Sequence, residues 1–195
     1  VCKGGLATMN RYKVIVNPIS GRGNGEQSIP LIQNLLEQYS LSYDLVRTER
    51  PGHAIELAKQ AAEDGYDVAV AAGGDGTANE VLNGLMQAKQ TGAEAAMGAL
   101  CVGRGNDFAF GVGVPPTLEA GCAALAGGRR RLIDVGWVEG GLVPQGRYFG
   151  NGVGIGFDAV VGFEALKLKR LSGFPSYIVA ALKTIFLYYH APLLR

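Results

Sequence analysis

A glycine-rich run with one acidic residue is the part of the sequence most suited to chemistry. Residues 73–77 read GGDGT, and glycines without a Cβ let backbone amides close on a phosphate group. A helix that starts here would add the partial positive charge of its N-terminus. Asp75 would repel a phosphate unless a cation or a hydroxyl proton lies between them. Its carboxylate is therefore a candidate Mg²⁺ contact or hydroxyl-activating base.

The same residues also allow a purely structural interpretation. A tight turn from strand to helix favours glycine as well, with Thr77 as the N-cap and Glu80 completing a capping box. For a bare glycine turn we would favour that interpretation. Because Asp75, Asn79 and Glu80 are all present, we favour a ligand-binding loop.

Two further glycine-rich loops carry polar side chains that suit phosphate. Residues 17–21 read NPISG, in which Pro18 fixes the turn and Ser20 could bind phosphate together with the following amides. Residues 103–107 read GRGND, in which Arg104 could reach a phosphate or lie in solvent. The chain has no GxxxxGK[ST] motif, and Glu26 stands at the third glycine position of the dinucleotide pattern. Both of those nucleotide motifs are therefore excluded.

The elements that would position these loops alternate regularly along the chain. Short apolar or β-branched runs predict strands at residues 12–16, 42–47, 67–72 and 97–102. Apolar side chains at helical spacing predict helices at residues 28–39, 51–64 and 77–90. This order predicts an α/β fold with a mostly parallel sheet and helices on both faces. Such sheets bind ligands beyond the carboxyl ends of their strands, where the three loops would meet.

Composition narrows the classes of function. The 195 residues include 18 basic and 17 acidic side chains, and a net charge of +1 argues against a protein that binds nucleic acid mainly through phosphate contacts. Three widely spaced cysteines and two histidines argue against a disulfide framework or a cysteine-histidine metal centre, and fit a reducing cytoplasm. No uncharged apolar run reaches the roughly 20 residues of a membrane helix.

The pattern changes after residue 131. Residues 132–138 and 147–151 predict two strands joined through Gly140 and Gly141, and residues 157–170 and 175–189 predict helices. We therefore expect a leader at residues 1–8, an α/β nucleotide-binding domain at residues 9–131, and the beginning of an antiparallel β-sandwich domain at residues 132–195. We expect this second domain to be truncated.

Four stretches together resemble the diacylglycerol kinase catalytic-domain family, which includes bacterial lipid kinases and sphingosine kinases. They are VIVNPISG at residues 14–21, GGDGTANEVLNGL at 73–85, GRGNDFAFGVGVP at 103–115, and IDVGWVEG with YFGNGVGIGFDA within 133–159. The GGDGT run alone is shared with NAD kinases and phosphofructokinases. Its combination with NPxSG and GNDF is far more specific to lipid kinases.

The resemblance implies transfer of the γ-phosphoryl group of ATP to a lipid hydroxyl, with Mg²⁺ and with Asp75 as the catalytic residue. No metal ligand is assigned, because the family's metal-binding acids and its general base lie in a later segment. Arg104 stands where the family commonly has threonine. The nucleotide-binding residues that the resemblance implies are Asn17, Pro18, Ile19, Ser20, Gly21, Thr48, Gly73, Gly74, Asp75, Gly76, Thr77, Ala78, Asn79, Glu80 and Arg104.

Other functions and several partners stay open at this point. An NAD kinase-like phosphotransferase and a non-catalytic nucleotide-binding fragment are the alternatives. We expect a cytoplasmic protein with a hydroxyl-bearing lipid substrate, peripheral contact with the inner face of the membrane and no nucleic-acid partner. Exposed apolar residues within 174–194 predict self-association. Arg129, Arg130 and Arg131 could attract an anionic membrane, although a solvated sheet edge is the commoner role of such a run.

Overall fold

Four parallel strands form the main sheet of the computed structural model, which describes residues 10–141, 143–168 and 174–187. The strand order is β2-β1-β3-β4, with β1 and β3 in the centre. The predicted α/β fold with a parallel sheet is confirmed. The strands are β1 (Arg11–Val16), β2 (Ser42–Arg47), β3 (Val68–Gly73) and β4 (Ala96–Cys101).

Helices cover both faces of this sheet. One apolar layer joins Val14, Val16 and Val70 to helices α2 and α6, and the other joins Ile15 and Ala71 to helices α3 and α4. Every residue of β3 is buried, as expected of a central strand covered on both sides. The helices of this part are α1 (Ser20–Gln27), α2 (Ile29–Gln38), α3 (His53–Glu63), α4 (Asp75–Gln90), α5 (Asp107–Gly111) and α6 (Leu118–Ala126).

Helix α1 lies where the sequence predicted only a glycine-rich loop. Its first residues are not helical, because Gly21, Arg22 and Gly23 have left-handed φ values of 60°, 65° and 93°. The left-handed conformation costs a non-glycine residue about 1–2 kcal/mol, so Arg22 is held there by its surroundings. The regular turns begin after this kink, which is why the glycines concealed the helix.

Helix α4 begins two residues before the predicted start. Strand β3 ends at Gly73, and the extended Gly74 is the N-cap, without a capping side chain. The structural alternative with Thr77 as the N-cap is therefore wrong, because Thr77 lies in the first turn and is buried. The capping box is wrong as well: the Glu80 carboxylate accepts hydrogen bonds from the backbone N–H groups of Gly52 (3.0 Å) and Ala54 (3.3 Å), at the start of α3.

A two-stranded antiparallel hairpin follows α6. Its strands are β5 (Gly136–Gly140) and β6 (Val143–Phe149), so both lie a few residues away from the predicted positions. The predicted hairpin through Gly140 and Gly141 is confirmed, because Gly140 pairs with Val143 across the turn and both glycines have positive φ, which glycine adopts without strain. Residues 132–135 are not in a strand.

The chain divides into two compact units, Val1–Asn151 and Gly152–Arg195. The second unit contains α7 (Phe157–Lys167) and α8 (Phe174–Leu187), which confirms two predicted helices within the described residues. Apolar side chains along α8 are exposed, Phe186 at 78% and Leu187 at 64%. The predicted leader lies outside the described residues, and the boundary at residue 131 and the β-sandwich stay predictions.

Candidate functional site

A cleft of about 470 Å³ opens at the carboxyl ends of β1, β3 and β4. Its walls come from the three glycine-rich loops that the sequence singled out, together with the start of α1. The predicted meeting of these loops at one edge of the sheet is therefore present in the structure. The lining residues are Asn17, Ile19, Ser20, Gly21, Arg22, Gly74, Asp75, Gly76, Gly103, Arg104 and Gly105.

The loops touch one another through their glycines. A Cβ on Gly74 would lie only 3.3 Å from the Cα of Gly103 and 3.6 Å from Ser20 Oγ. A Cβ on Gly103 would collide with the backbone of Gly74, and one on Gly21 would collide with the carbonyl oxygen of Val102. These glycines are therefore required by contact between the loops, whether or not a ligand binds.

Gly76 differs from these glycines. A Cβ at this position would meet nothing within 4 Å, and the residue lies exposed in the first turn of α4. Glycine inside a helix is about 0.5–1 kcal/mol less favourable than alanine, and the protein's own packing does not require it here. An open backbone on the cleft wall suits the close approach of a ligand.

Asn17 fastens the first loop to the second. Its Nδ2 donates to Thr77 Oγ1 at 3.0 Å, and its Oδ1 accepts a hydrogen bond from the Ile19 N–H at 3.2 Å. The Thr77 hydroxyl therefore serves the protein itself, and only 4% of the residue is exposed. Asn17 holds the loop that carries Ile19 and Ser20 against the start of α4.

Asp75 fastens the second loop to the third. Its Oδ1 accepts the backbone N–H of Phe108 at 2.8 Å, at the start of α5. A Cβ on Gly105 would lie 3.0 Å from Oδ2, so this second oxygen faces the third loop across the cleft wall. The carboxylate is half-buried and can offer Oδ2 to a ligand while Oδ1 holds α5.

Two arginines give the cleft its positive charge. Arg22 and Arg104 both line it and both are exposed, and Asp75 is the one acidic lining residue. Arginine binds phosphate oxygens through paired N–H donors. Arg22 was not among the predicted site residues, although a cation between two glycines in a loop was a usable signal. Its left-handed backbone is the kind of strain that clusters at functional sites.

The remaining predicted residues are not part of the cleft lining. The N–H of Thr48 donates to the carbonyl oxygen of Val16 at 2.8 Å, beyond the end of β2. Asn79 points to the hairpin, where its Oδ1 accepts from Arg147 Nε at 2.6 Å and its Nδ2 donates to the Tyr148 carbonyl oxygen at 3.0 Å. Their roles in ligand binding stay predictions. Pro18, Gly73, Thr77, Ala78 and Glu80 are likewise absent from the lining.

The chemistry of the cleft favours charge neutralisation over covalent catalysis. Cys101 ends β4, but burial raises the pKa of its thiol and the Asp75 carboxylate raises it further, so the thiol is not activated.

Among the described residues, no group of three or more His, Cys, Asp or Glu side chains could hold a metal ion. In the same part of the chain, no helix is both long enough and apolar enough to cross a membrane.

The family model and the similar proteins of known sequence all indicate the same family. The model of the diacylglycerol kinase catalytic domain matches residues 11–138, more than half of the chain. A diacylglycerol kinase of Bacillus subtilis (strain 168) is 32% identical over 179 residues, which are 91% of this chain and 56% of the relative. A diacylglycerol kinase of Staphylococcus saprophyticus is 30% identical over 170 residues, which are 87% of this chain and 53% of the relative.

A solved structure shares the fold. The crystal structure of a diacylglycerol kinase from Bacillus anthracis str. Sterne has a TM-score of 0.57 at 22% identity, over 67% of this chain and 46% of that chain. This chain spans about half the length of the curated relatives that it matches. Because the family model covers the three loops and all four strands of the main sheet, the chain belongs to the diacylglycerol kinase catalytic-domain family.

Proposed function

We propose that this chain is the nucleotide-binding part of an ATP-dependent lipid kinase, which transfers the γ-phosphoryl group of ATP to a lipid hydroxyl. The observation that carries the proposal is the cleft, where three glycine-rich loops and two arginines meet at the carboxyl edge of a parallel sheet. Family membership supports the same reaction class, because the relatives are named diacylglycerol kinases.

The cleft residues fit a polyphosphate. Arg22 and Arg104 would contact phosphate oxygens, and the open backbone at Gly76 would let the chain approach them closely. The N-terminus of α4 adds free N–H groups, because Gly74 supplies no capping side chain. Asn17 and Asp75 keep the three loops in register, so that the donors are in place before the ligand arrives.

The residues present also fit Mg²⁺ bound together with a nucleotide. This cation is commonly held by one or two carboxylates plus phosphate oxygens and water, and Asp75 Oδ2 supplies one carboxylate oxygen. Bound Mg²⁺ and ATP would supply charge neutralisation and the transferable phosphoryl group. The chain itself would contribute orientation and fixed positive charge, because phosphoryl transfer depends mainly on positioning. Asp75 is also the candidate base for the lipid hydroxyl.

The acceptor and the location are part of the same proposal. A lipid with a free hydroxyl would reach the cleft from a membrane surface, which suits peripheral attachment from the cytoplasm. Self-association of the chain would use the exposed apolar side chains of α8.

Calorimetry of nucleotide binding tests the proposal. We expect the chain to bind ATP with Mg²⁺ more tightly than NADP, and Gly74→Val to abolish binding, because its side chain would force the second and third loops apart. Gly111→Val is the matched control, since a Cβ on Gly111 meets nothing within 4 Å and the residue is outside the cleft lining. Binding of NADP alone, or ATP binding that survives Gly74→Val, would contradict the proposal.

Transfer itself needs an assay with lipid. We expect ATP consumption that depends on a hydroxyl-bearing lipid, such as dioleoylglycerol in mixed micelles, when the chain is tested within its complete gene product. ATP binding without consumption for any hydroxylated lipid would favour a non-catalytic nucleotide-binding protein.

A further inference from the structure

Two large apolar side chains are exposed to solvent on neighbouring segments of the chain, one in α5 and one in the stretch after α6. Phe110 in α5 is 87% exposed, and Leu132 in the segment after α6 is fully exposed at 101%. The Nη2 of Arg131 donates to the carbonyl oxygen of Gly111 at 3.4 Å. This hydrogen bond joins the two segments at positions next to Phe110 and Leu132. The two exposed apolar side chains therefore stand on segments that are joined to each other, and we refer to Phe110, Leu132 and the arginines 129–131 as one surface.

The same surface is strongly basic. Arg129, Arg130 and Arg131 are all exposed, and within residues 10–141 none of them makes an ion pair. Arg130 donates instead to the side-chain oxygen of Asn10 at 3.2 Å, and Arg131 donates to the Gly111 carbonyl. Asp134 is the one acidic residue within residues 129–134, so three arginines leave that segment with a net charge of +2.

The surface lies close to the candidate site. Helix α5 carries Phe110, and its start is fixed to the cleft by the hydrogen bond between the Phe108 N–H and Asp75. Phe110 lies five positions after Gly105, a lining residue of the cleft. At about 1.5 Å per helical residue, its backbone is roughly 3 Å further along α5 than the Phe108 N–H that Asp75 holds.

We propose that Phe110, Leu132 and the arginines 129–131 form the surface through which this chain docks on an anionic lipid bilayer. Apolar side chains that enter the interface and arginines that meet acidic headgroups are the two signals that together hold a protein on a membrane. Charge complementarity selects an anionic bilayer as the occupant, because three arginines directly precede Leu132 and Arg131 is hydrogen-bonded to the residue that follows Phe110. The proposal rests on the proposed function, since a lipid kinase must take its acceptor from a bilayer.

Vesicle flotation tests the docking surface. Wild-type chain should float with vesicles of phosphatidylcholine and phosphatidylglycerol at low salt. It should float far less with pure phosphatidylcholine, or at about 0.5 M NaCl, where the Debye length is only roughly 4 Å. We expect Phe110→Ser with Leu132→Ser to lower the partition coefficient more than tenfold. Arg129→Gln, Arg130→Gln and Arg131→Gln together should do the same and remove the dependence on anionic lipid.

Matched control variants test whether losing positive charge or an apolar side chain elsewhere on the protein also lowers vesicle binding. Arg47→Gln, Arg50→Gln and Lys89→Gln remove equal charge elsewhere in the same unit, and Leu31→Ser removes an apolar side chain that is 42% exposed on α2. These controls should float like wild type. Thermal melting of each variant identifies any that fails to fold, and the apolar and basic variants serve as independent tests of one surface.

Three outcomes would overturn the inference. The first is wild-type chain that stays unbound to anionic vesicles. The second is flotation of the patch variants like wild type, which would assign membrane contact to other residues such as α8. The third is conversion of a dimer to a monomer by the patch substitutions in sedimentation, which would make a second copy the occupant. ATP calorimetry on the same samples keeps the proposals apart. Intact ATP binding with patch-independent flotation defeats this inference alone, whereas patch-dependent flotation without ATP binding defeats the proposed function alone.

Discussion

Gly76 offers a sharp test at the scale of single residues, because stability and binding should change in opposite directions. A Cβ there meets open space on the cleft wall, so Gly76→Ala adds no clash and gains helix propensity. We expect unfolding stability to stay equal or rise by up to about 1 kcal/mol. We expect ATP affinity to fall about tenfold, which is the loss of roughly 1.4 kcal/mol of phosphate contact. Thermal melting and calorimetry measure the two effects.

A second glycine serves as the control for this substitution. Gly162 lies inside α7, and a Cβ there also meets nothing within 4 Å, so Gly162→Ala should stabilise its helix and leave ATP binding unchanged. If Gly76→Ala binds ATP as tightly as wild type, phosphate does not approach this backbone, and the cleft cannot work as proposed.

The types of the site residues were easier to predict than their partners. The sequence placed Asn17, Asp75 and Arg104 in loops at one sheet edge, because strand ends and glycines are local signals. It could not show that Asp75 accepts the N–H of Phe108, since that bond joins residues 33 apart. The alternative of a capping box considered Glu80 only within its own helix, although its carboxylate accepts hydrogen bonds at the start of α3. Local sequence patterns cannot predict hydrogen bonds between residues that are far apart in the chain and are brought together only by the fold.

At the scale of elements, α4 connects the glycine-rich loop to the hairpin. Asn83 on this helix is only 5% exposed, and its amide holds both backbone groups of Tyr148. Oδ1 accepts the Tyr148 N–H at 2.9 Å, and Nδ2 donates to the Tyr148 carbonyl oxygen at 2.9 Å. The Asn83 amide thus pairs with the backbone of Tyr148 as a neighbouring strand would. It attaches β6 to α4, the helix that begins at the cleft.

Asn83→Leu should loosen this attachment. Leucine has a similar size but leaves the Tyr148 N–H without its acceptor, which costs about 1–3 kcal/mol, while the Tyr148 carbonyl oxygen keeps the hydrogen bond from Asn79 Nδ2. We expect the Tyr148 amide to exchange with solvent faster, while amides of β1 and β3 keep their protection. Hydrogen exchange measures both. Gln87→Leu, an exposed position on the same helix, is the control. Unchanged exchange at Tyr148 would show that other contacts hold the hairpin.

Helices and strands with strong local patterns were predicted within a few residues. Apolar runs placed the four parallel strands, and helical spacing placed α2, α3 and α4. Helix α1 was missed because its glycines at 21, 23 and 25 are poor helix formers, yet a Cβ on Gly25 would collide with the carbonyl oxygen of Asn17. Close packing against the first loop therefore outweighs the low helix propensity of glycine at this position, and local sequence rules do not include such packing. Strand β5 was placed too early because Leu132 and Ile133 are apolar yet remain outside any strand.

At the scale of the molecule, the two units differ in how they keep their charged groups. In the unit Val1–Asn151, the pairs of Arg47 with Glu26 and of Arg50 with Glu56 are exposed, and exposed pairs contribute little. In the unit Gly152–Arg195, the Glu164 side chain is only 5% exposed and contacts both Lys167 and Lys183 at 2.5 Å. In the described part of the second unit, Lys167 and Lys183 therefore share one carboxylate.

Acid should weaken the unit Gly152–Arg195 more than the unit Val1–Asn151. Hydrogen bonds from Lys167 and Lys183 hold the pKa of Glu164 below its usual value, against the opposing effect of burial. A lowered pKa in the folded state gives stability that is present above the unfolded value, about 4.3, and is lost as the pH falls through the folded value.

We expect amide exchange in α7 and α8, compared at equal intrinsic rates, to accelerate between pH 5 and pH 3 more than exchange in β1 and β3. Glu164→Gln should already show fast exchange at pH 7 with little further change in acid, whereas Glu26→Gln should behave like wild type. Equal acid sensitivity of the wild-type protein and Glu164→Gln in α7 and α8 would show that this carboxylate does not control the second unit.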